Sequence, residues 1–148
     1  MSVIENIMNI PAEHEKNVFG SFDGNIKKIE RTLHVTVIAR DSQVKIIGSD
    51  VAAKRARSVF EQLIELSKRG NTITEQNVDY ALSLSYDNKE SAIVDLDDNI
   101  ICRTVMGKPV KPKTLGQKKY VDQIRERMIV FGIGPAGTGK TYLAMAMA

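Results

Sequence analysis

Apolar positions along the N-terminal half of this 148-residue chain change period at short intervals, and each change marks an element. Val3, Ile4, Ile7, Met8 and Ile10 predict a first strand from Val3 to Ile10, closed by Pro11, which suits the first turn of a helix. A short helix over 12–19 follows. The turn-rich Gly20-Ser21-Phe22-Asp23-Gly24-Asn25 then leads into a second helix with Ile26, Ile29 and Leu33 on one face, and Asp23 is its expected cap. Val35, Val37 and Ile38 predict one strand and Val44, Ile46 and Ile47 another, joined through Arg40-Asp41-Ser42. Ser49 or Asp50 caps a longer helix whose inward stripe is Ala52, Ala56, Val59, Phe60, Leu63, Ile64 and Leu66. On its outer face Arg57 with Glu61 and Glu65 with Arg69 stand one turn apart, a spacing that adds small increments of helix stability. Gly70-Asn71 ends that helix, and Thr74 opens another carrying Val78, Ala81 and Leu82.

The order strand, helix, helix, strand, strand, helix resembles the K-homology domain, a small fold that binds RNA and single-stranded DNA. In that fold a Gly-x-x-Gly loop flanked by basic residues lies between the first two helices and clamps backbone phosphates. Here the slot holds Gly20-Ser21-Phe22-Asp23. Asp23 would repel a phosphate at close range, whereas Lys27, Lys28 and Arg31 on the next helix carry the charge to meet a nucleic-acid backbone. Two readings therefore stand side by side: binding of RNA or single-stranded nucleic acid through Lys27, Lys28 and Arg31, or a K-homology-like scaffold in which Asp23 only caps its helix.

Beyond Ser85 the periodicity fades. An acidic, polar stretch with Asp87, Glu90, Asp95, Asp97 and Asp98 leads to a strand-like segment over 99–105, a Met106-Gly107-Lys108 turn and a return arm over 109–112. The expected organisation is an α+β K-homology-like domain with an extra helix over 1–85, a linker and hairpin over 86–113, and the start of a P-loop α/β domain over 114–148. Thr114-Leu115-Gly116-Gln117 fits a capping box at the head of a helix with Tyr120, Val121 and Ile124 facing inward. The apolar run Met128, Ile129, Val130, Phe131 and Ile133 reads as a buried parallel strand, and Tyr142 to Ala148 is rich in helix formers.

Between that strand and that helix lies Gly134-Pro135-Ala136-Gly137-Thr138-Gly139-Lys140-Thr141, a complete Walker A phosphate-binding loop. A triphosphate is held most economically by backbone N–H groups curled around it at a helix N-terminus, where unpaired donors and the helix dipole both favour an anion. The glycines at 134, 137 and 139 permit the curl. Lys140 would reach the β and γ phosphates of ATP, and the Thr141 hydroxyl would ligate the bridging Mg²⁺. The alternative, a glycine-rich turn without a ligand, leaves the full eight-position pattern unexplained. Gln117, one helix upstream, has two roles open to it: completing the capping box, or reading adenine through an amide that both donates and accepts hydrogen bonds.

Composition narrows the classes. A 43% hydrophobic and 26% charged chain is that of a globular protein and excludes wholesale disorder. Its net charge of +3 argues little by itself, and the basic run Arg103, Lys108, Lys111, Lys113, Lys118, Lys119, Arg125, Arg127 reads first as solvated surface. Cys102 is the sole cysteine, so no disulfide can form within the chain. His14 and His34 lack partners at metal-ligand spacing. With no signal-peptide pattern and no apolar run long enough to span a bilayer, the expected place is the cytoplasm, with no membrane partner.

The segment running from Gly107-Lys108 through Pro112-Lys113-Thr114-Leu115-Gly116-Gln117-Lys118-Lys119-Tyr120-Val121 to Ile129-Val130-Phe131-Gly132-Ile133 and on through the Walker A loop to Ala144 resembles the PhoH-like proteins, bacterial cytoplasmic P-loop ATPases. Phe19-Gly20, Asp23 and Asn25 match the same family's N-terminal pattern. The resemblance implies Mg²⁺-dependent ATP hydrolysis in the intact protein and makes the 20–25 loop the family's own version, closer to a scaffold than to an RNA clamp; coupling of that hydrolysis to RNA is an expectation from the N-terminal fold and the basic run, not from the resemblance. Superfamily-1 helicases share the Walker A spelling, and a non-catalytic nucleic-acid-binding module is a further alternative. A hydrolase also needs an acidic Walker B residue, a water-positioning group and usually an arginine, none assignable after Thr141. The expectation is an N-terminal fragment without hydrolytic activity of its own and with no catalytic residues assigned. In the intact protein, subunits could assemble into a homo-oligomer to share an arginine.

Overall fold

Residues 3–87 and 92–148 are described by a computed structural model, in which the chain divides into two compact units, 1–91 and 92–148. Glu90 of the acidic stretch lies outside the described residues.

The first unit is α+β. Strand β1 (Val3–Asn9) is followed by helices α1 (Ala12–Phe19) and α2 (Gly24–Leu33), then by strands β2 (Thr36–Arg40) and β3 (Gln43–Ser49) and helices α3 (Asp50–Lys68) and α4 (Glu75–Asp87). The three strands form an antiparallel sheet in the order β1-β3-β2. β3 is thus central: Met8 pairs with Val44 on one side of it and Ala39 with Val44 on the other. Alternation along the strands sends Met8, Val44 and Ile46 into the core and leaves Val3 and Ile7 exposed. Helix α3 lies against β1 and β3, and α4 packs on α3.

Two details of this unit depart from the pattern read along the chain. Ala53, not Ala52, joins the buried stripe of α3, because the face turned to the sheet is centred on Ala53, Ala56, Phe60 and Leu63. Asp23 occupies the N-cap position of α2 but makes no cap hydrogen bond. Its backbone is left-handed, at φ 56° and ψ 29°, while side-chain capping needs an extended residue there. Phe22 before it is also left-handed (φ 53°) and 95% exposed. Asn25 closes the turn instead, its Nδ2 donating to Val18 O at 3.0 Å.

The second unit begins inside the acidic stretch with a short helix, α5 (Ala92–Asp97), where a polar linker was expected. Lys111 Nζ bonds Asp97 Oδ1 at 2.7 Å and ties α5 to the arm of a two-stranded ribbon, β4 (Cys102–Arg103) with β5 (Pro109–Val110). Helix α6 (Leu115–Glu126) buries Val121, and α7 (Lys140–Met147) buries Leu143. Between them the run Met128–Ile133, expected as a buried parallel strand, pairs with no strand among the described residues. Phe131 is 84% exposed and Met128 fully so. A parallel strand is stable only with ladder partners on its edges and helices over its faces, and no described segment supplies them.

Candidate functional site

The Walker A residues form the turn from Gly134 to Gly139 that enters α7, with Gly137 and Gly139 both at positive φ, 78° and 82°. A cleft of about 550 Å³ opens beside it, lined by Thr114, Gln117, Tyr120 and Gln123 of the α6 side and by residues of the loop and of the start of α7. The helical spacing of Tyr120 with Val121 and Ile124 predicts an inward-facing ring. Tyr120 stands in the cleft wall instead, with its ring across Gly132: a Cβ added at Gly132 would fall 3.2 Å from the ring edge and hydroxyl. Gln117, Tyr120 and Gln123 recur every three residues along one side of α6, a spacing by which they could have been grouped from the sequence.

Lys140 sends its ammonium back over the loop. Nζ donates to Gly134 O at 2.9 Å, Pro135 O at 2.6 Å and Thr138 Oγ1 at 3.2 Å. The Thr138 hydroxyl in turn donates to Pro135 O at 2.9 Å. The charge is therefore stationed at the mouth of the loop on three neutral oxygens, weaker acceptors than anionic phosphate oxygens would be. Thr141 is exposed, and its hydroxyl has no hydrogen-bond partner among the described residues. Ala136, Pro135 and Thr138 are exposed along with it.

Gln117 meets both of the roles its position suggested in part. Thr114 Oγ1 accepts from Gln117 N at 3.1 Å, the expected half of a capping box. The returning bond goes one residue further out: Gln117 Oε1 accepts from Lys113 N at 2.7 Å. The other end of the amide, Nε2, donates to Thr138 O at 3.1 Å, inside the Walker A loop. Among the described residues no carboxylate lines the cleft, and no cluster of His, Cys, Asp or Glu has the makings of a metal site.

A family profile described as PhoH-like protein matches residues 109–148, from the ribbon's second strand through α7. A PhoH-like protein of Mycobacterium tuberculosis is 38% identical over 146 residues, covering 98% of this chain, and one of Bacillus subtilis is 34% identical over 132 residues, covering 89%. A third, from Synechocystis, is 27% identical over 129 residues. The chain belongs to the PhoH-like family. PhoH-like proteins are in general P-loop ATPases. The chain spans about 41% of the length of the first two relatives and 39% of the third. No solved structure matches it.

The three basic residues of α2 named as nucleic-acid candidates do not share one environment. Lys28 is ion-paired with Glu75 at 2.8 Å and with Asp79, both on α4, and hydrogen bonding to Asp79 first and Glu75 second raises its pKa above the ordinary lysine value. Lys27 and Arg31 are exposed one turn apart and have no ion pair among the described residues. No helix among the described residues is long and apolar enough to cross a membrane.

Proposed function

We propose that the loop from Gly134 to Thr141 binds the phosphates of ATP with Mg²⁺, as the nucleotide grip of a PhoH-like P-loop ATPase. The observation that carries this reading is the placement of Lys140 Nζ over the loop mouth, on Gly134 O, Pro135 O and Thr138 Oγ1. An incoming triphosphate offers charged acceptors in the same place, so the ammonium exchanges neutral partners for anionic ones without leaving the loop. The residues fit the group: positive-φ glycines at 137 and 139 bend the backbone, and the start of α7 supplies unpaired N–H groups and the positive end of its dipole. Thr141 has an uncommitted hydroxyl that would hold Mg²⁺, which when bound would supply positive charge to offset that of the phosphates. The cleft beside Tyr120, Gln117 and Gln123 would take the base.

Hydrolysis in the whole protein is part of the same proposal. The carboxylate that completes Mg²⁺ binding and the group that orients water would come from residues other than those lining this cleft. A nucleic-acid partner, RNA or another single strand, is a second reading. It is supported by the β-α-α-β-β-α element order, the feature on which the resemblance to a K-homology domain rests, and by the exposed Lys27 and Arg31. The test of the first reading is a calorimetric titration with Mg-ATP. Lys140→Ala is expected to weaken binding at least about 100-fold, the scale of losing a charged hydrogen-bonding partner; unchanged affinity overturns it.

A further inference from the structure

We propose that Gln117 is a positioning residue for the phosphate grip, a latch that holds the loop in its gripping curl, and not primarily a reader of the adenine base. The inference rests on the nucleotide-binding reading above and adds to it which group sets the loop's conformation.

The argument begins with what a carboxamide can do. It has two N–H donors and one oxygen with two lone pairs. In Gln117 one donor is spent on Thr138 O, at 3.1 Å, and one lone pair on Lys113 N–H, at 2.7 Å. The side chain is thereby fixed at both ends, to the backbone just ahead of α6 and to the loop ahead of α7. Its amide nitrogen also lies 3.3 Å from where a Cβ on Gly139 would stand, so the latch packs against the residue whose φ of 82° turns the chain into α7.

The consequence for phosphate binding follows from the planarity of the peptide bond. The Thr138 carbonyl and the Gly139 N–H belong to one trans peptide and point in opposite directions. A donor that holds the Thr138 oxygen on the α6 side therefore aims the Gly139 N–H away from α6. That N–H has no acceptor among the described residues, and it is one of the loop's candidate donors for a phosphate oxygen. Thr138 is held at its other end as well, its hydroxyl donating to Pro135 O and accepting from Lys140. One side chain on α6 thus reaches, through Thr138, both the backbone donor at Gly139 and the ammonium at Lys140. Without the latch the Thr138–Gly139 peptide is free to flip, since Gly139 adopts either sign of φ, and a grip that must first be ordered binds more weakly.

Gln117→Glu isolates the latch from the helix cap. The new side chain has the same length and keeps an oxygen to accept from Lys113 N–H, so α6 retains its cap. It has lost the donor and turns a carboxylate toward Thr138 O. In the isotope-labelled full chain, the carbonyl resonance of Thr138 and the amide resonances of Gly139 and Lys140 are expected to move in Gln117→Glu without ligand, while the helical signal of α6 is unchanged. Titrated with Mg-ATP and, separately, with Mg-tripolyphosphate, Gln117→Glu and Gln117→Ala are expected to weaken both by the same factor, about 10-fold for a lost hydrogen bond and a disordered loop. Loop resonances that superimpose on those of the native chain overturn the proposal. So does weakened ATP binding with unchanged tripolyphosphate binding, the signature of a base reader. If the native chain binds neither ligand, the nucleotide reading fails, and the unliganded resonances alone decide whether the latch exists.

Discussion

Asn17 joins three segments of the first unit with one side chain. Its Nδ2 donates to Ser67 Oγ and to Asn71 O, each at 2.8 Å, and its Oδ1 accepts from Ile73 N at 2.9 Å, pinning α1 to the end of α3 and to the turn that follows. Asn17→Leu keeps the branching at Cγ but strands a backbone donor and acceptor, so urea unfolding should report a loss of about 2–3 kcal/mol, with Asn17→Asp, which preserves the bond from Ile73, in between. Lys28 makes a different kind of link. Its pKa is raised from 10.5 by Asp79 and Glu75, so its folded value lies above its unfolded one. The stabilisation is therefore complete below that unfolded value and is lost as pH rises through the higher folded one. Lys28→Met should flatten that alkaline limb of a stability–pH curve and leave the neutral region changed by no more than a typical surface pair, roughly 0–1 kcal/mol. At this scale the sequence was only partly readable. Lys28 looked like a phosphate ligand among three similar cations, because the carboxylates that occupy it lie on α4, some fifty positions away in the chain. Gln117's bond to Thr138 was hidden for the same reason: capping is a local pattern, and a contact across 21 positions is not.

Among the elements, those with strong periodicity were legible to within a residue or two. The stripe of Ile26, Ile29 and Leu33 gave α2, and the alternation of Val44 and Ile46 gave β3. What periodicity could not supply was partnership. The run Met128–Ile133 has the composition of a buried strand, yet a strand exists by its ladder, and none of the described segments pairs with it. Backbone handedness was equally hidden at Asp23, where a favourable cap residue sits in a left-handed conformation that disables the cap. The β2–β3 turn has the same character in a milder form. Asp41 and Ser42 are both left-handed, at φ 49° and 61°, the geometry of a two-residue hairpin turn that favours Asn-Gly. Replacing Asp41→Asn together with Ser42→Gly removes most of that strain, and thermal or urea unfolding should show a gain of about 1–2 kcal/mol.

For the whole molecule, the exposed apolar run is the feature that governs handling in solution. Met128, Ile129, Phe131 and Ile133 present large side chains to water on a segment that pairs with no described strand, the kind of surface through which chains associate. Phe131→Lys places a charge in the middle of the run. It should lower concentration-dependent association in sedimentation experiments and leave the helical signal of the chain unchanged; association equal to that of the native chain would move the cause elsewhere. The sheet of the first unit carries a consequence of another sort, in time. Its outer strand β1 is joined along its whole length to β3, from Val3 opposite Ser49 to Asn9 opposite Gln43. The β2–β3 hairpin closes locally, whereas β1 must hold for a partner synthesised some forty positions later. At about 5–20 residues per second a ribosome takes roughly 2–8 s to cover that interval. For that period β1 has been made with no edge to pair with, and the last strand of the sheet to be made is the one that lets the first find its place.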